Sequence, residues 1–141
     1  MKKENSFGII PVIKKSDKWF VFLIQNKFSD HWGFPKGRAN ENETHFESAK
    51  RELKEETNLL VNYLIQDTPL KEQYICIKNN EKINKTVLYY LCKITNEDYI
   101  LQEEEVINGG FFIINRAKDI LTYKQSKALM NDVINTLKDI K

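Results

Sequence analysis

The chain has 141 residues, 41% of them hydrophobic and 30% charged, with a formal net charge of +2. That length allows one well-cored domain and is too short for two, so a single domain over 1–141 is expected. Basic and acidic residues are interleaved, which excludes a stable nucleic-acid partner held by the overall field; any polyanion must be gripped locally. Met1-Lys2-Lys3 is followed by Glu4, Asn5 and Ser6, and the apolar run Gly8 to Ile13 is broken by Pro11, so no secretion signal is read. No apolar run approaches the ~20 residues that a bilayer span needs. Cys76 and Cys92 lack metal-ligand spacing, and both are expected to pack as small hydrophobes in a cytoplasmic, monomeric protein.

In chain order, 6–14 and 19–25 are short runs rich in Ile, Val and Phe around the polar segment 15–18, and they predict a β-hairpin. Pro11 points to an edge or bulge position in its strand. Residues 26–36 read as a loop. Thr44 with Glu47 three residues later is a capping-box pattern, and no Gly or Pro interrupts 44–57, so a helix follows there. Residues 59–65, 71–78 and 85–94 predict further strands, the last apolar enough to be central. Asn79 to Lys82 reads as a hairpin loop, Glu103-Glu104-Glu105 as an acidic loop, Asn108-Gly109-Gly110 as a turn and 111–114 as a short strand. Helices are predicted over 117–121 and 125–137, where Leu129, Val133 and Leu137 recur every four residues with Ala128 on the same face. This order of elements favours an α/β sandwich.

The helix over 44–57 carries the sharpest feature. At about 100° per residue, Glu55 lies about 60° to one side of Glu52 and Glu56 about 40° to the other, so the carboxylates share one face. Ala49, Leu53 and Phe46 form an apolar stripe beside them, and Lys50 and Lys54 point to solvent. Glu55 has Arg51 as a partner, whereas Glu52 and Glu56 have mainly each other. A divalent cation with oxygen ligands relieves such repulsion, and a solvated acidic face is the alternative that geometry alone leaves open.

These residues resemble the Nudix hydrolase signature, G-x5-E-x7-R-E-U-x-E-E-x-G-U with U a bulky aliphatic. Gly37, Glu43, Arg51, Glu52, Leu53, Glu55, Glu56 and Leu59 match it, and Asn58 stands at the second glycine. Asparagine is the next residue after glycine to tolerate the left-handed conformation that closes a helix. The segment His31-Trp32-Gly33-Phe34-Pro35-Lys36-Gly37 further resembles the one that opens the signature in asymmetric diadenosine tetraphosphate hydrolases. Looser matches follow at Tyr74, Lys85-Thr86-Val87, Tyr89-Tyr90-Leu91, a Glu near 105 ahead of Phe111, and Tyr123-Lys124.

The resemblance implies a mixed sheet between helices, an α/β/α sandwich. It also implies hydrolysis of a dinucleoside polyphosphate by water attack on phosphorus, with diadenosine tetraphosphate cut to ATP and AMP. The implied cofactor is Mg²⁺, with Mn²⁺ as a substitute, held by Glu52, Glu55, Glu56 and a loop carboxylate, for which Glu105 is the first choice and Glu104 the second. Arg51 is expected to fix Glu43 and Glu55 as a fork. Lys36, beside a flexible Gly37, and Lys85 are candidate phosphate partners, His31 a phosphate contact, and Tyr74 and Tyr123 adenine-stacking residues; His45 reads as an exposed helix residue. The rival readings are a Nudix reaction on nucleoside triphosphates or RNA 5′ ends, and a non-catalytic nucleotide-sensing module. All three helix glutamates are present, which disfavours the last.

Overall fold

The computed structural model describes residues 1–140; Lys141, the last residue of the expected domain, lies outside them. The elements are β1 (Lys2–Lys15), β2 (Lys18–Asn26), β3 (Trp32–Gly33), β4 (Lys36–Gly37), α1 (His45–Thr57), β5 (Val61–Leu64), β6 (Leu70–Lys78), β7 (Glu81–Ile94), β8 (Val106–Ile113), α2 (Ile114–Ile120) and α3 (Lys124–Lys138). All the strands join one mixed sheet, with the parallel pair β1 and β7 at its centre.

The two central strands have 14 residues each, and each changes neighbours along its length. One edge of β1 pairs with β4 at Phe7 and Gly8 and with β2 from Val12 onward. One edge of β7 pairs with β6 over most of its length and with β5 near Cys92 to Ile94. This fork explains Pro11, which lies in the sheet interior and not on an edge strand. The Ile9 N–H donates to Pro35 O at 3.2 Å, on the β4 side. By two-residue alternation, Pro11 faces that same side just where β4 has ended and β2 has barely begun, so its missing N–H leaves no ladder bond unmade.

Helices cover both faces, so the architecture is the expected α/β/α sandwich. Ala49 and Leu53 of α1 pack with Phe7, Ile9, Phe22, Ile24 and Ile94 on one side of the sheet. On the other side Met130, Val133 and Leu137 of α3 and Ala117 of α2 pack with Ile10, Val12, Val21, Leu23 and Leu91. Ala128 is exposed, and Met130 with Ile134 completes the buried face of α3 in its place. Among the described residues no helix is long and apolar enough to cross a membrane.

Two expected loops are tighter than their composition suggests. Ser16-Asp17 and Asn79-Asn80 have positive φ at both residues and close two-residue hairpins, so Glu81 and Lys82 belong to β7. Asn108-Gly109-Gly110 is no turn; it lies within β8, paired to β2 through Ile24↔Gly109. A side chain at Gly109 would meet Leu101 at 2.9 Å and Phe22 at 3.2 Å, so the glycine admits a close approach and not a bend. The segment 26–36, expected as loop, contributes the short strands β3 and β4.

Helix α1 has the ends that its sequence calls for. Thr44 and Glu47 form the reciprocal capping box, and Asn58 closes the helix at φ 63°, in the left-handed region. Asn58→Ala should destabilise the protein by about 1 kcal/mol, whereas Asn58→Gly should hold or raise stability. Urea midpoints of the two variants check this, and equal losses would contradict it.

Candidate active site

Arg51 gathers the signature residues of α1. Its guanidinium contacts Glu43 at 2.9 Å, Glu52 at 3.1 Å and Glu55 at 3.1 Å, and donates to Arg38 O at 2.9 Å. Glu52 therefore does not rely on Glu56 for company, as its spacing suggested; the neighbouring arginine reaches it. Glu43 also accepts from Ser48 Oγ at 2.8 Å and from the Asn40 N–H at 3.1 Å. The Arg51 bond and these others bring the Glu43 carboxyl down to about 2.

Gly37 serves Glu52 more than a phosphate. It lies in β4, and a Cβ there would collide with the Glu52 carboxylate, which packs directly on the bare backbone. Next to it, the Lys36 N–H donates to Glu56 Oε1 at 3.2 Å. Glu56 is 4% exposed, and burial, followed by the charge of Glu52, pushes its carboxyl up to about 9.

The C-terminus of α1 is completed from a distant loop. The Ile100 N–H donates to Thr57 O at 2.9 Å and the Gln102 N–H to Glu56 O at 3.0 Å, so carbonyls without helical partners are satisfied by the segment that leads into the acidic triplet. The same bonds anchor the segment that carries Glu105, which lines the same cleft as Glu56. Of Glu103, Glu104 and Glu105, only the last lines the cleft described next.

A cleft of about 390 Å³ opens on the α3 side of the forked sheet. Glu56 and Glu105 stand at its acidic end, and Lys36, Lys85, His31, Tyr74 and Tyr123 line it as well. Glu52 and Glu55 are not among the lining residues; both are paired to Arg51. On β7, Lys85 is lowered to about 8 by burial and by the charges of Lys36 and Lys78. Tyr74 on β6 lies opposite Lys85 in register, and burial raises its phenol to about 12. The Tyr74 and Tyr123 rings are stacked, with centroids 5.8 Å apart and planes at 18°, and the Tyr123 hydroxyl pairs with His31 Nδ1. A base between the rings would need roughly twice the ~3.4 Å stacking rise of nucleic acids, so this arrangement leaves no room for one between them. His45 lies on the exposed side of α1, stacked on Phe7.

Several lining residues were not read as site residues in the sequence: Glu72 and Lys78 of β6 and Ser126 of α3 went unnamed, Cys76 was expected only to pack, and Tyr89 entered only as part of a family match. The alternation Glu72, Tyr74, Cys76, Lys78 along one strand was the available signal. Cys92 is buried as expected, but Cys76 is half-buried and faces the cleft.

The NUDIX domain family profile matches residues 2–131. This chain belongs to the NUDIX family. Among NUDIX relatives, the asymmetrical bis(5′-nucleosyl)-tetraphosphatase of Caenorhabditis elegans is 27% identical over 124 residues, which cover 87% of this chain and 88% of that protein. The enzyme of the same name from Rattus norvegicus is 24% identical, covering 88% of this chain and 84% of its own. The C. elegans Ap4A hydrolase, solved as a binary complex, superposes with a TM-score of 0.78 at 26% identity, covering 95% of this chain and 97% of that one. The NUDIX domain of Shewanella oneidensis NrtR, solved with ADP ribose, reaches the same TM-score of 0.78 at 14% identity, covering 97% and 90%, and shows the shared fold. The chain is thus a Nudix hydrolase, of a family that generally uses divalent metals and acts on nucleotide-type substrates.

Two predictions follow from the Arg51 cluster. The lowered Glu43 carboxyl contributes stability that is whole above its ordinary value of 4.5 and lost as pH falls toward about 2. Glu43→Gln should flatten the melting temperature against pH in that window, and an unchanged acid slope would refute the linkage. Gly37→Ala should push the Glu52 carboxylate from its seat, and because that carboxylate is the free end of a flexible side chain the melting temperature should change little; a shift of the Arg51 side-chain resonances by NMR reads the displacement.

Proposed function

We propose that this Nudix hydrolase cleaves dinucleoside polyphosphates, cutting diadenosine tetraphosphate to ATP and AMP. The observation that carries the reading is the lining of one cleft, which brings together the carboxylates of Glu56 and Glu105, the lysines Lys36 and Lys85 and the stacked pair Tyr74 and Tyr123. A polyphosphate flanked by nucleosides calls for this set of groups. The sequence and fold likeness to the C. elegans Ap4A hydrolase supports the same substrate class.

The donor set suits a hard cation. Glu56 is a buried carboxylate whose ionisation is opposed by burial and by Glu52 and Glu105, and a divalent ion would offset that cost. Among the described residues no three His, Cys, Asp or Glu side chains form a ready-made metal cluster, so substrate and water oxygens would complete the shell, as is usual for Mg²⁺. When bound, Mg²⁺ or Mn²⁺ supplies charge neutralisation at the phosphates and a more acidic water. Glu56 and Glu105 would hold it, with Glu52 and Glu55 as further oxygen donors.

The remaining work falls to the chain. The Lys36 backbone N–H orients Glu56, and Arg51 keeps Glu52 and Glu55 from collapsing toward solvent or spreading apart. Lys36 and Lys85 would pair with phosphate oxygens, and Tyr74 and Tyr123 would support an adenine face. His31, tied to the Tyr123 hydroxyl, would fix the tyrosine and offer its other ring nitrogen to phosphate. Glu105, which lines the same cleft, would accept a proton from the attacking water.

Incubation of the purified protein with Mg²⁺ and a panel of dinucleoside polyphosphates, nucleoside triphosphates and capped RNA tests the reading. The expected result is equal ATP and AMP from the tetraphosphate, abolished by EDTA. Faster turnover of a triphosphate or an RNA end would replace this substrate. Glu56→Gln should lower turnover by a factor on the order of 10²–10⁴ while the melting temperature holds or rises, because an amide is cheaper to bury than a carboxylate.

A further inference from the structure

One buried carboxylate in the cleft has no part in that hydrolytic scheme. Glu72, on β6, is 4% exposed and lines the cleft together with Ser126 of α3. Ser126 Oγ donates to Glu72 Oε2 at 2.9 Å, and among the described residues no donor reaches Glu72 Oε1. That oxygen differs from Glu4 Oε1, which is sealed among protein atoms with no hydrogen bond and only Lys78 Nζ at 3.6 Å; Glu72 Oε1 opens onto the cleft.

A clamp between β6 and α3 needs only an amide or a hydroxyl at this position. A carboxylate resting on a single neutral hydrogen bond carries a desolvation cost, and burial raises the Glu72 carboxyl above its ordinary value. A ligand that donates to the open oxygen offsets that cost. Phosphate is the wrong ligand, since both groups are anionic. Glu72 and Tyr74 are two residues apart on one strand, so they share the cleft face at about 6.6 Å along the chain. Two neighbouring side chains on one face of a strand put the Glu72 oxygen beside the aromatic platform, on the side where the edge of a base lying on it would be met.

We propose that Glu72, oriented by Ser126, reads the nucleobase: Oε1 accepts an N–H from the exocyclic amino group of a purine resting on Tyr74 and Tyr123. The inference rests on the nucleotide reading of this cleft and adds to it a determinant of base choice. In this role Ser126 is a positioning residue, acting through the carboxylate it holds.

Calorimetric binding of AMP and of purine riboside 5′-monophosphate, which differs by lacking the amino group, provides the test without any turnover. Wild type should prefer AMP by about tenfold. Glu72→Ala should erase the preference while keeping its affinity for the ligand without the amino group, and Ser126→Ala should shrink the preference severalfold. Tyr74→Ala should weaken both ligands alike. Equal binding of the two ligands by wild type, or a full preference retained in Glu72→Ala, overturns the role of Glu72 and leaves the tyrosine platform standing. Loss of neither ligand in Tyr74→Ala, or no binding of either by wild type, removes the nucleotide reading and this inference with it. If Glu72→Ala does not fold, Ser126→Ala decides, and an unchanged preference there overturns the proposal.

Discussion

The Arg51 guanidinium touches Glu43, Glu52 and Glu55 and donates to the Arg38 carbonyl, so one cation offsets three carboxylates and ties α1 to the chain just beyond β4. Without it, the acidic face of α1 would repel itself at the point where it meets the sheet. Arginine suits the position because its planar fork donates in several directions at once, which an ammonium on a flexible stem does not reproduce. The missing side chain of Gly37 is the counterpart of this arrangement, since it gives the Glu52 carboxylate a seat on backbone.

With those charges arranged behind the helix, Glu56 is the carboxylate left to face inward, and the forked sheet decides what it faces. Strands β1 and β7 run through the centre and trade neighbours along their length, which leaves room on the α3 side for a polar cleft within an otherwise apolar layer. The roles proposed for Glu56 in metal binding and for Tyr74 in base recognition then draw on different layers. The first depends on α1 and the loop carrying Glu105, the second on β6 and the segment leading into α3. Lys36 and Lys85 line the same cleft.

Much of the acidic end was legible in the residues themselves. Helix α1, its capping box, its left-handed close at Asn58 and its shared carboxylate face all depend on contacts within a few residues, which local spacing reports directly. The stretch around Asn108-Gly109-Gly110 shows the opposite case. Its glycines have turn composition, but they sit in β8 because Phe22 and Leu101 leave no space for a side chain, a demand made by residues distant in the chain. Pro11 misled for the same reason, since its strand is central and only the exchange of β4 for β2 beside it makes a proline tolerable.

By itself the sequence determined the signature helix, the strand-rich framework and the family to which they belong, because periodicity and capping are properties of neighbouring residues. Tertiary structure decided which carboxylates face the cleft, how Arg51 divides itself among them, and that Glu72 and Ser126, 54 positions apart, meet in its wall. Those outcomes turn on where strands exchange partners and which distant loop caps a helix end. Such choices are settled by global packing and hydrogen-bond satisfaction, and no local pattern encodes them.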